Sequence, residues 1–499
     1  RSKQVLDNAK FILSDIKEVF TDIKPVIEEV TKGETQIIKN LAKVSDALDD
    51  IVPICVFGNC SAGKSTFINA LIGREILPSG DDPVTAKAFK IQNSMQTDVA
   101  RIKFSHWGDE IELSLEDGNY RVIRGNENDE MLHELDSIFE NSEANTMNRM
   151  VSVALEFINA YEKRDSSSTE IGNMIELQIA FSKAGILGSS NNKFVIFDTP
   201  GSNTATNSGH IKALKEALKG FSNGIPVWVS QYETIDTMDN EALCNNILSI
   251  DALDRRFTMI VINKADVANL PEKGFSEKQI KNIKEFRSVE RMYASGIFFV
   301  SSIMGLGAKN GNRMSDKHYR RIYKLQRDSF TDPEDEDYME LYKYNIMPLQ
   351  IKEEVIAYSA NEENLVYVNS GLHCVETEIE EFASKYSAYN KCQMVNTLLT
   401  DVIDETTEKI AKRVQERKKL KEKYENDLEE KKQQLISMME DKSAELEGSF
   451  SNAAYDSINT YSKKHLNYNY PLKALEELNR KYIEENTNQY HIDDKKKDL

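Results

Sequence analysis

Apolar residues near the start of the chain recur at alternating intervals of four and three, which is typical of a helix with one hydrophobic stripe. Pro25 and Gly33 interrupt the pattern, so two helices are expected rather than one. We expect the stripe to pack on helices from the far end of the chain, with packing on the adjacent domain as the alternative. The stripe comprises Val5, Ala9, Ile12, Ile16, Val19, Ile23, Val26 and Val30, and Ile37, Val44 and Ile51 continue one of its rows.

From residue 51 to about 308, short apolar runs alternate with helical segments, which predicts an α/β sheet with βαβ crossovers. Residues 126–172 interrupt this alternation with a polar, largely helical insert. The predicted strands are Ile51–Phe57, Lys90–Gln92, Ala100–Phe104, Glu110–Leu115, Tyr120–Ile123, Met174–Phe181, Phe194–Phe197, Val227–Ser230, Thr258–Ile262 and Ile297–Ser301.

Beyond residue 341 the pattern is almost entirely helical. Residues 393–446 contain neither Pro nor Gly and predict a single long helix. The fold class is therefore an α/β domain, with a mixed, mostly parallel sheet flanked by helices, plus an extended helical bundle built from both ends of the chain. We place N-terminal helices at 1–50, the α/β domain at 51–312 and the remaining helical part at 313–499.

The 499-residue chain has a formal net charge of −19, which argues against nucleic acid as a partner and against loose attraction to anionic membranes. No run approaches 18 apolar residues, so no membrane-spanning or inserting segment is expected. The five cysteines form no CxxC pair, which favours reduced thiols. No signal-peptide pattern opens the chain. These features predict a cytoplasmic location, with peripheral contact at the inner membrane face left open.

One stretch fits G-x-x-x-x-G-K-[ST], the phosphate-binding loop, and it lies between a predicted strand and a predicted helix. Its glycines let the backbone turn its N–H groups onto phosphate, and the helix N-terminus adds positive charge. Lys64 is expected to reach the β- and γ-phosphates, and the Ser65 hydroxyl to bind Mg²⁺. The predicted phosphate-binding residues are Gly58, Asn59, Cys60, Ser61, Ala62, Gly63, Lys64, Ser65 and Thr66.

Asp198-Thr199-Pro200-Gly201 follows another predicted strand. An aspartate at this place can reach Mg²⁺ through water, and the Gly201 N–H can sense a γ-phosphate. Thr85, which lies 21 residues after Lys64, is a candidate for completing the metal coordination. Each of these two signals is weak alone and gains weight from its order along the chain.

Asn263-Lys264-Ala265-Asp266 also follows a strand and decides between ATP and GTP. The Asp266 carboxylate can accept hydrogen bonds from guanine N1–H and N2–H₂, a pair of donors that adenine does not offer. Asn263 can hold the loop, and the Lys264 stem can lie along the ring. Ser301 and Ser302 are weaker candidates for contact with the base. The expected ligands are therefore GTP or GDP with Mg²⁺.

The set formed by residues 58–73, 76–85, 198–201 and 263–266 resembles the dynamin superfamily, most of all its bacterial dynamin-like members, among them the Leo-type branch linked to toxin secretion. The resemblance is specific over about 51–303 and architectural elsewhere. It implies GTP hydrolysis, head-to-head pairing of GTPase domains across the nucleotide, and a helical neck and trunk that relay the change.

Two positions depart from the family's pattern. Cys60 stands where dynamins carry a polar Gln that helps to organise catalysis, and Ser202 rather than Gln follows Gly201. Hydrolysis would then depend on backbone groups, Ser61, Thr85, a monovalent cation or a partner subunit. A space-filling Cys60 thiol is favoured over a reactive thiolate.

Two functions from different classes follow. The first is a dynamin-like GTPase that couples its nucleotide state to self-assembly and to membrane remodelling or vesicle-associated secretion, alone or with a related dynamin-like or operon partner. The second is a slow, nucleotide-gated scaffold that assembles with a protein partner and does not act on membranes. A ribosome-assembly GTPase fits the motifs but not the charge. Basic residues at 412–423 are interpreted as a solvated helix face rather than a lipid-binding surface.

Overall fold

The computed structural model describes most of the chain. The chain divides into two compact units, Arg1–Val402 and Ile403–Leu499. The described residues are 3–31, 35–49, 51–78, 87–126, 129–142, 144–161, 171–172, 174–198, 224–248, 250, 255–348, 352–353, 356–357, 359–360, 363–452, 476–477 and 480.

The first unit contains one ten-stranded sheet, in the order β10-β9-β8-β1-β7-β2-β6-β3-β4-β5. The five neighbouring strands β10, β9, β8, β1 and β7 are all parallel, whereas β3, β4 and β5 form antiparallel hairpins. The prediction of a mixed, mostly parallel sheet flanked by helices is confirmed. The strands are β1 Ile51–Gly58, β2 Ala88–Asn93, β3 Ala100–His106, β4 Asp109–Glu116, β5 Asn119–Arg124, β6 Met174–Ile179, β7 Lys193–Asp198, β8 Ile225–Ser230, β9 Met259–Asn263 and β10 Gly296–Val300.

Helices cover the sheet and extend from it. They are α1 Lys3–Val30, α2 Thr35–Ala47, α3 Lys64–Ile72, α4 Glu130–Asn141, α5 Met147–Tyr161, α6 Ile186–Ser189, α7 Met238–Leu248, α8 Glu277–Lys284, α9 Arg287–Met292, α10 Ser302–Asn310, α11 Lys317–Gln326, α12 Leu365–Asn369, α13 Leu372–Glu381 and α14 Ala388–Asn452. A π-helical turn, Phe382–Ser387, joins α13 to α14. Short 3₁₀ turns lie at Cys60–Ala62, Tyr232–Thr234, Arg255–Phe257, Ala265–Val267, Gly311–Arg313, Asp328–Phe330 and Leu341–Tyr344.

The described part of the insert predicted over 126–172 is largely helical, as expected, but it is not polar throughout. Helix α5 buries Val151, Ala154, Leu155 and Ile158 completely in the main core. These residues recur at helical spacing and pack α5 on the sheet, and Arg149 and Glu156 are the exposed residues among the described side chains of the helix.

The stripe in the first 30 residues packs as predicted on the far end of the chain, because a second hydrophobic core joins α1 and α2 to the start of α14. The predicted phase is partly wrong. Ile12, Val19 and Val26 are exposed by 49%, 58% and 59%, while Leu13 and Phe20 are buried in their place. A helix can turn either of two adjacent apolar rows inward, and the neighbouring helices decide which one.

The break between the first two helices falls after Val30, and Pro25 lies inside α1. Thr31 N–H and its hydroxyl both donate to the Ile27 carbonyl, at 2.9 and 2.6 Å. The prediction of two helices is therefore confirmed, whereas Pro25 does not end the first of them.

Helix α14 runs without interruption for 65 residues and contains the predicted long helix. In the second unit its side chains are mostly exposed. Opposite charges pair there at helical spacing, as in Lys421 with Glu425 at 3.7 Å and Lys442 with Glu445 at 2.6 Å. Among the described residues, no helix is both long and apolar enough to cross a membrane.

Candidate functional site

The parallel half of the sheet brings three separate sequence motifs to one edge. Strand β1 ends at Gly58, β7 at Asp198 and β9 at Asn263, and these strands run in the same direction. Ligands of open α/β sheets bind outside the carboxyl ends of the strands. The motifs therefore meet where such a site is expected.

The two glycines of the phosphate loop are required for different reasons. Gly63 has a left-handed backbone with φ of +76°, and a Cβ added to it would lie 2.4 Å from Asn263 Nδ2. At Gly58, an added Cβ would lie 2.5 Å from the Val229 carbonyl oxygen on β8. Both contacts are shorter than van der Waals distance, so a side chain at either position would push the loop away from its neighbours.

Asn263, at the end of β9, forms hydrogen bonds to the phosphate loop and to the first residue of α10. Its Nδ2 donates to the carbonyl oxygens of Ala62 and Gly63, at 2.9 and 3.2 Å. Its Oδ1 accepts hydrogen bonds from the Ser302 N–H and hydroxyl, at 3.2 and 2.6 Å. Asn263 and Ser302 are both buried. The structure therefore places Ser302 as support for Asn263, and a contact with the base remains a prediction.

Two residues outside the predicted set hold the phosphate loop from its other side. Gln231 Nε2 donates to the Ser61 carbonyl oxygen at 2.6 Å. Asn59 Nδ2 donates to Asn240 Oδ1 at 2.9 Å, and Asn240 in turn donates to the Thr234 carbonyl oxygen at 2.7 Å. Gln231 and Asn240 both follow β8, which lies beside β1. Local sequence patterns do not predict this strand order, which makes the two residues neighbours of the loop.

Lys64 and Asp198 form a buried ion pair at the start of α3. Lys64 Nζ lies 3.4 Å from Asp198 Oδ1, and Asp198 has no exposed surface. Neither carboxylate oxygen of Asp198 has a hydrogen-bond partner among the described residues. Burial raises the pKa of Asp198, and the neighbouring Lys64 opposes that rise.

A buried carboxylate without hydrogen bonds is costly, so its chemistry fits a cation held close by. No group of three or more His, Cys, Asp or Glu side chains that could hold a metal occurs in the part of the chain that the structure describes. Mg²⁺ typically takes only one or two protein carboxylates, with water and substrate phosphates completing its coordination. Asp198, together with Ser65 at the start of α3, fits Mg²⁺ on these grounds.

The residues predicted to read the base lie beside the phosphate loop. Lys264 adopts a left-handed backbone with φ of 56°, and its Cε lies 3.7 Å from where a Cβ of Gly63 would be. Burial raises the pKa of Asp266, and hydrogen bonds from Ser301 and Gln326 oppose the rise. The Lys264 stem thus lies against one end of the loop.

Of the remaining predicted residues, one bonds to another side chain of the protein and three lie, in whole or in their side chain, outside the described part of the chain. The Thr66 hydroxyl lies 3.2 Å from the Tyr319 hydroxyl, so it makes a hydrogen bond within the protein. Thr85, Gly201 and the side chain of Cys60 fall outside the described residues. Their assigned roles stay predictions.

The family model described as the dynamin family matches residues 54–265 of this chain. Comparison with curated proteins gives no match. Members of the matched family bind GTP and GDP, in general with Mg²⁺.

Two solved structures, both described as an oligomerised bacterial dynamin pair for the long-range sensing and tethering of membranes, are similar to this chain at 15% and 14% identity. Each comparison covers 99% of this chain and 62% of the other, with TM-scores of 0.35 and 0.34. The chain therefore spans less than two-thirds of the length of those structures.

The predicted resemblance to dynamins is confirmed by the family match, whereas membership of the Leo-type branch stays a prediction. The matched region begins inside β1, just before the phosphate loop, and ends at Ala265, within the loop that follows β9. Over residues 54–265 the chain is therefore similar to the dynamin family.

Proposed function

We propose that the chain binds GTP at the carboxyl edge of the sheet and hydrolyses it to GDP and phosphate. The observation that carries this proposal is Asn263, which joins the phosphate loop to the predicted guanine-reading loop by two hydrogen bonds to Ala62 and Gly63. The two loops therefore form one connected unit: the first carries Lys64, which pairs with Asp198, and the second carries Asp266.

At the phosphate end, Lys64 neutralises charge on the β- and γ-phosphates, and loop N–H groups donate to phosphate oxygens. Mg²⁺, when bound, draws charge from the phosphate oxygens, and Ser65, Asp198 and Thr85 are the residues that would hold it. At the other end, Asp266 accepts hydrogen bonds from guanine N1–H and N2–H₂. Adenine lacks this pair of donors, so Asp266 selects the nucleotide.

In hydrolysis, a water oxygen forms a bond to the γ-phosphorus while the bond to the β–γ bridging oxygen breaks, and the proton of the water passes to the released phosphate. The chain has Ser202 after Gly201, so it offers no glutamine at that position to orient the water. Ser61, Thr85 and loop N–H groups, with a monovalent cation or a partner subunit, are the proposed source of that orientation. Turnover by an isolated chain should accordingly be slow.

We further propose that GTP-bound heads pair with one another and that this pairing drives self-assembly. The exposed side of the nucleotide edge supports it, since Lys264 and Val267 both lie open to solvent there. Action on membranes, in vesicle-associated secretion or tethering, is the wider function that the family suggests.

Turnover with a matched pair of lysine variants tests the enzymatic part. Lys64→Ala should reduce GTP hydrolysis about a hundredfold, because it removes the cation at the developing charge. The control is Lys103→Ala on β3, whose ammonium pairs with Glu110 at 3.0 Å away from the nucleotide edge. It should hydrolyse GTP at the wild-type rate. Undiminished hydrolysis by Lys64→Ala would contradict the proposal.

The scaffold alternative makes a separate prediction for the same protein. It expects nucleotide-dependent oligomers, measured by light scattering in GDP and in a transition-state analogue, without binding to liposomes. Co-sedimentation with anionic vesicles only in the GTP-analogue state would instead favour the membrane-active GTPase.

A further inference from the structure

A second buried lysine–carboxylate pair lies away from the nucleotide edge. Lys309 on α10 and Glu376 on α13 form an ion pair in which both side chains have no exposed surface. Burial lowers the pKa of Lys309, and Glu376 opposes that change. A fully buried pair is stable only when its remaining donors and acceptors are used, so its other contacts show what it does.

Lys309 binds the carboxyl end of α3 through hydrogen bonds. Lys309 Nζ donates to the carbonyl oxygens of Ala70 and Leu71, at 2.7 and 3.0 Å, and also to Glu376. An ammonium at a helix C-terminus satisfies carbonyls that lack helical partners and lies at the negative end of the helix dipole. Helix α3 is the one whose first two residues are Lys64 and Ser65.

The last four carbonyls of α3 are all accounted for by hydrogen bonds from outside the helix. Arg74 N–H donates to Asn69 at 3.1 Å, Gly73 N–H to Ala70 at 3.2 Å, and Ser182 N–H to Ile72 at 2.8 Å. Leu71 receives its hydrogen bond from Lys309. The orientation of α3 is therefore fixed at this end, about 13 Å from the phosphate loop at 1.5 Å per residue.

The glutamate side of the pair holds the segment that leads into β7. Glu376 Oε2 accepts hydrogen bonds from the N–H groups of Ile186 and Leu187, at 2.7 and 3.3 Å, and from the Tyr367 hydroxyl at 2.8 Å. Strand β7 begins four residues after α6 and ends at Asp198. The pair thus connects α3, which begins with Lys64, to the segment that precedes β7, the strand that ends at Asp198.

A glycine, Gly185, lies beside the pair, where there is no room for a side chain. A Cβ added at Gly185 would lie 2.5 Å from Lys309 Nζ and 2.9 Å from Glu376 Oε2. A methyl group at this position would therefore displace the pair while leaving both charges in place.

We propose that Lys309 and Glu376 are positioning residues for the phosphate site: they fix the far end of α3 and the approach to β7, and so set where Lys64 and Asp198 stand. The proposal rests on the proposed function in so far as the site binds a guanine nucleotide. It assigns to a buried pair outside the sequence motifs a role in nucleotide affinity, beyond its contribution to stability.

The test uses the full-length chain with Lys309→Met and Glu376→Gln combined. The pair is then uncharged, and the amide oxygen introduced at position 376 can still accept hydrogen bonds from Ile186 and Tyr367. Hydrogen exchange of the nucleotide-free protein should be about tenfold faster in 64–72 than in wild type, and unchanged in the hairpin 100–116. In the same samples, affinity for a fluorescent GDP analogue should fall about tenfold. Gly185→Ala, a second route to the same displacement, should show both effects if the double variant fails to fold.

The matched control is Asp129→Asn, which alters a partly buried pair, His106 Nδ1 with Asp129 at 2.7 Å, away from α3. It should leave exchange in 64–72 and GDP affinity at wild-type values. Wild-type exchange in 64–72, or wild-type affinity for the GDP analogue, in a folded double variant or in Gly185→Ala would overturn the positioning role. A wild-type protein that binds GDP and ADP equally would instead refute the guanine assignment, while the exchange result would still decide the role of the pair.

Discussion

The two ends of α3 each carry a buried lysine–carboxylate pair, and the pairs differ in what surrounds them. At the carboxyl end, Lys309 and Glu376 share five further hydrogen bonds with Ala70, Leu71, Ile186, Leu187 and Tyr367. At the amino end, both oxygens of Asp198 lack hydrogen-bond partners among the described residues.

The difference separates a pair that positions α3 from a pair that is proposed to contact the ligand. Burying an ion is expensive, and the cost is offset at the carboxyl end by a complete set of partners. At the amino end the described residues do not offset that cost, which is typical of a site that a ligand completes. One helix therefore has a rigid anchor and an incomplete binding site at opposite ends.

The largest expected effect contrasts the two carboxylates directly. Glu376→Gln leaves a buried Lys309 without its counter-charge and should lower the free energy of unfolding by about 3–5 kcal/mol. Asp198→Asn also removes the counter-charge of a buried lysine, but it breaks no hydrogen bond to a described residue, so its loss should be smaller by about 1–2 kcal/mol. Denaturant unfolding of the nucleotide-free variants measures both. Equal losses of unfolding free energy in the two variants would contradict the proposed distinction between the two pairs.

Specificity should change next most strongly. Asp266→Asn replaces an acceptor pair by an amide, so guanine N2–H₂ loses its partner and the preference for GTP over ATP should fall about a hundredfold. Xanthine carries an oxygen where guanine carries N2–H₂, so the variant should gain affinity for xanthosine diphosphate. Competition against a fluorescent GDP analogue measures both shifts. Unchanged preference in the variant would remove Asp266 from the base-binding role.

A smaller effect concerns pH and lies near the carboxyl-end pair. Burial, with the neighbouring Glu381, raises the pKa of Glu378 to about 7. The folded state then binds a proton more tightly than the unfolded state, so this contribution to stability is full below about pH 4.5 and is lost as the pH rises to 7. Glu378→Gln should match wild type at pH 5 and exceed it by about 1–2 kcal/mol at pH 8. Thermal unfolding at the two pH values provides the measurement, and a difference that is the same at both would contradict the assignment.

The sequence predicts the amino end of α3 well because motif residues follow strands, and parallel strands end at one edge of the sheet. Lys64, Asp198 and Asn263 were located in this way. Gln231 and Asn240 were not, because their place beside the loop depends on β8 pairing with β1. Strand order is a long-range property that local patterns do not encode.

The carboxyl end of α3 could not be predicted at all. Lys309 and Glu376 are 67 residues apart, and nothing in the local pattern of either helix marks a buried charge. The stripe of α1 shows a related limit, since its period is visible but Phe20 rather than Val19 turns inward. Periodicity identifies a helix, and the neighbours choose its buried face.

The most direct test of the central claim is nucleotide competition at the amino end of α3. A fluorescent GDP analogue is bound to the wild-type protein with Mg²⁺ and displaced by GTP or by ATP. We expect GTP to displace it at a concentration at least about a hundredfold lower than ATP, because Asp266 pairs only with guanine. Displacement by the two nucleotides at equal concentrations would contradict the account.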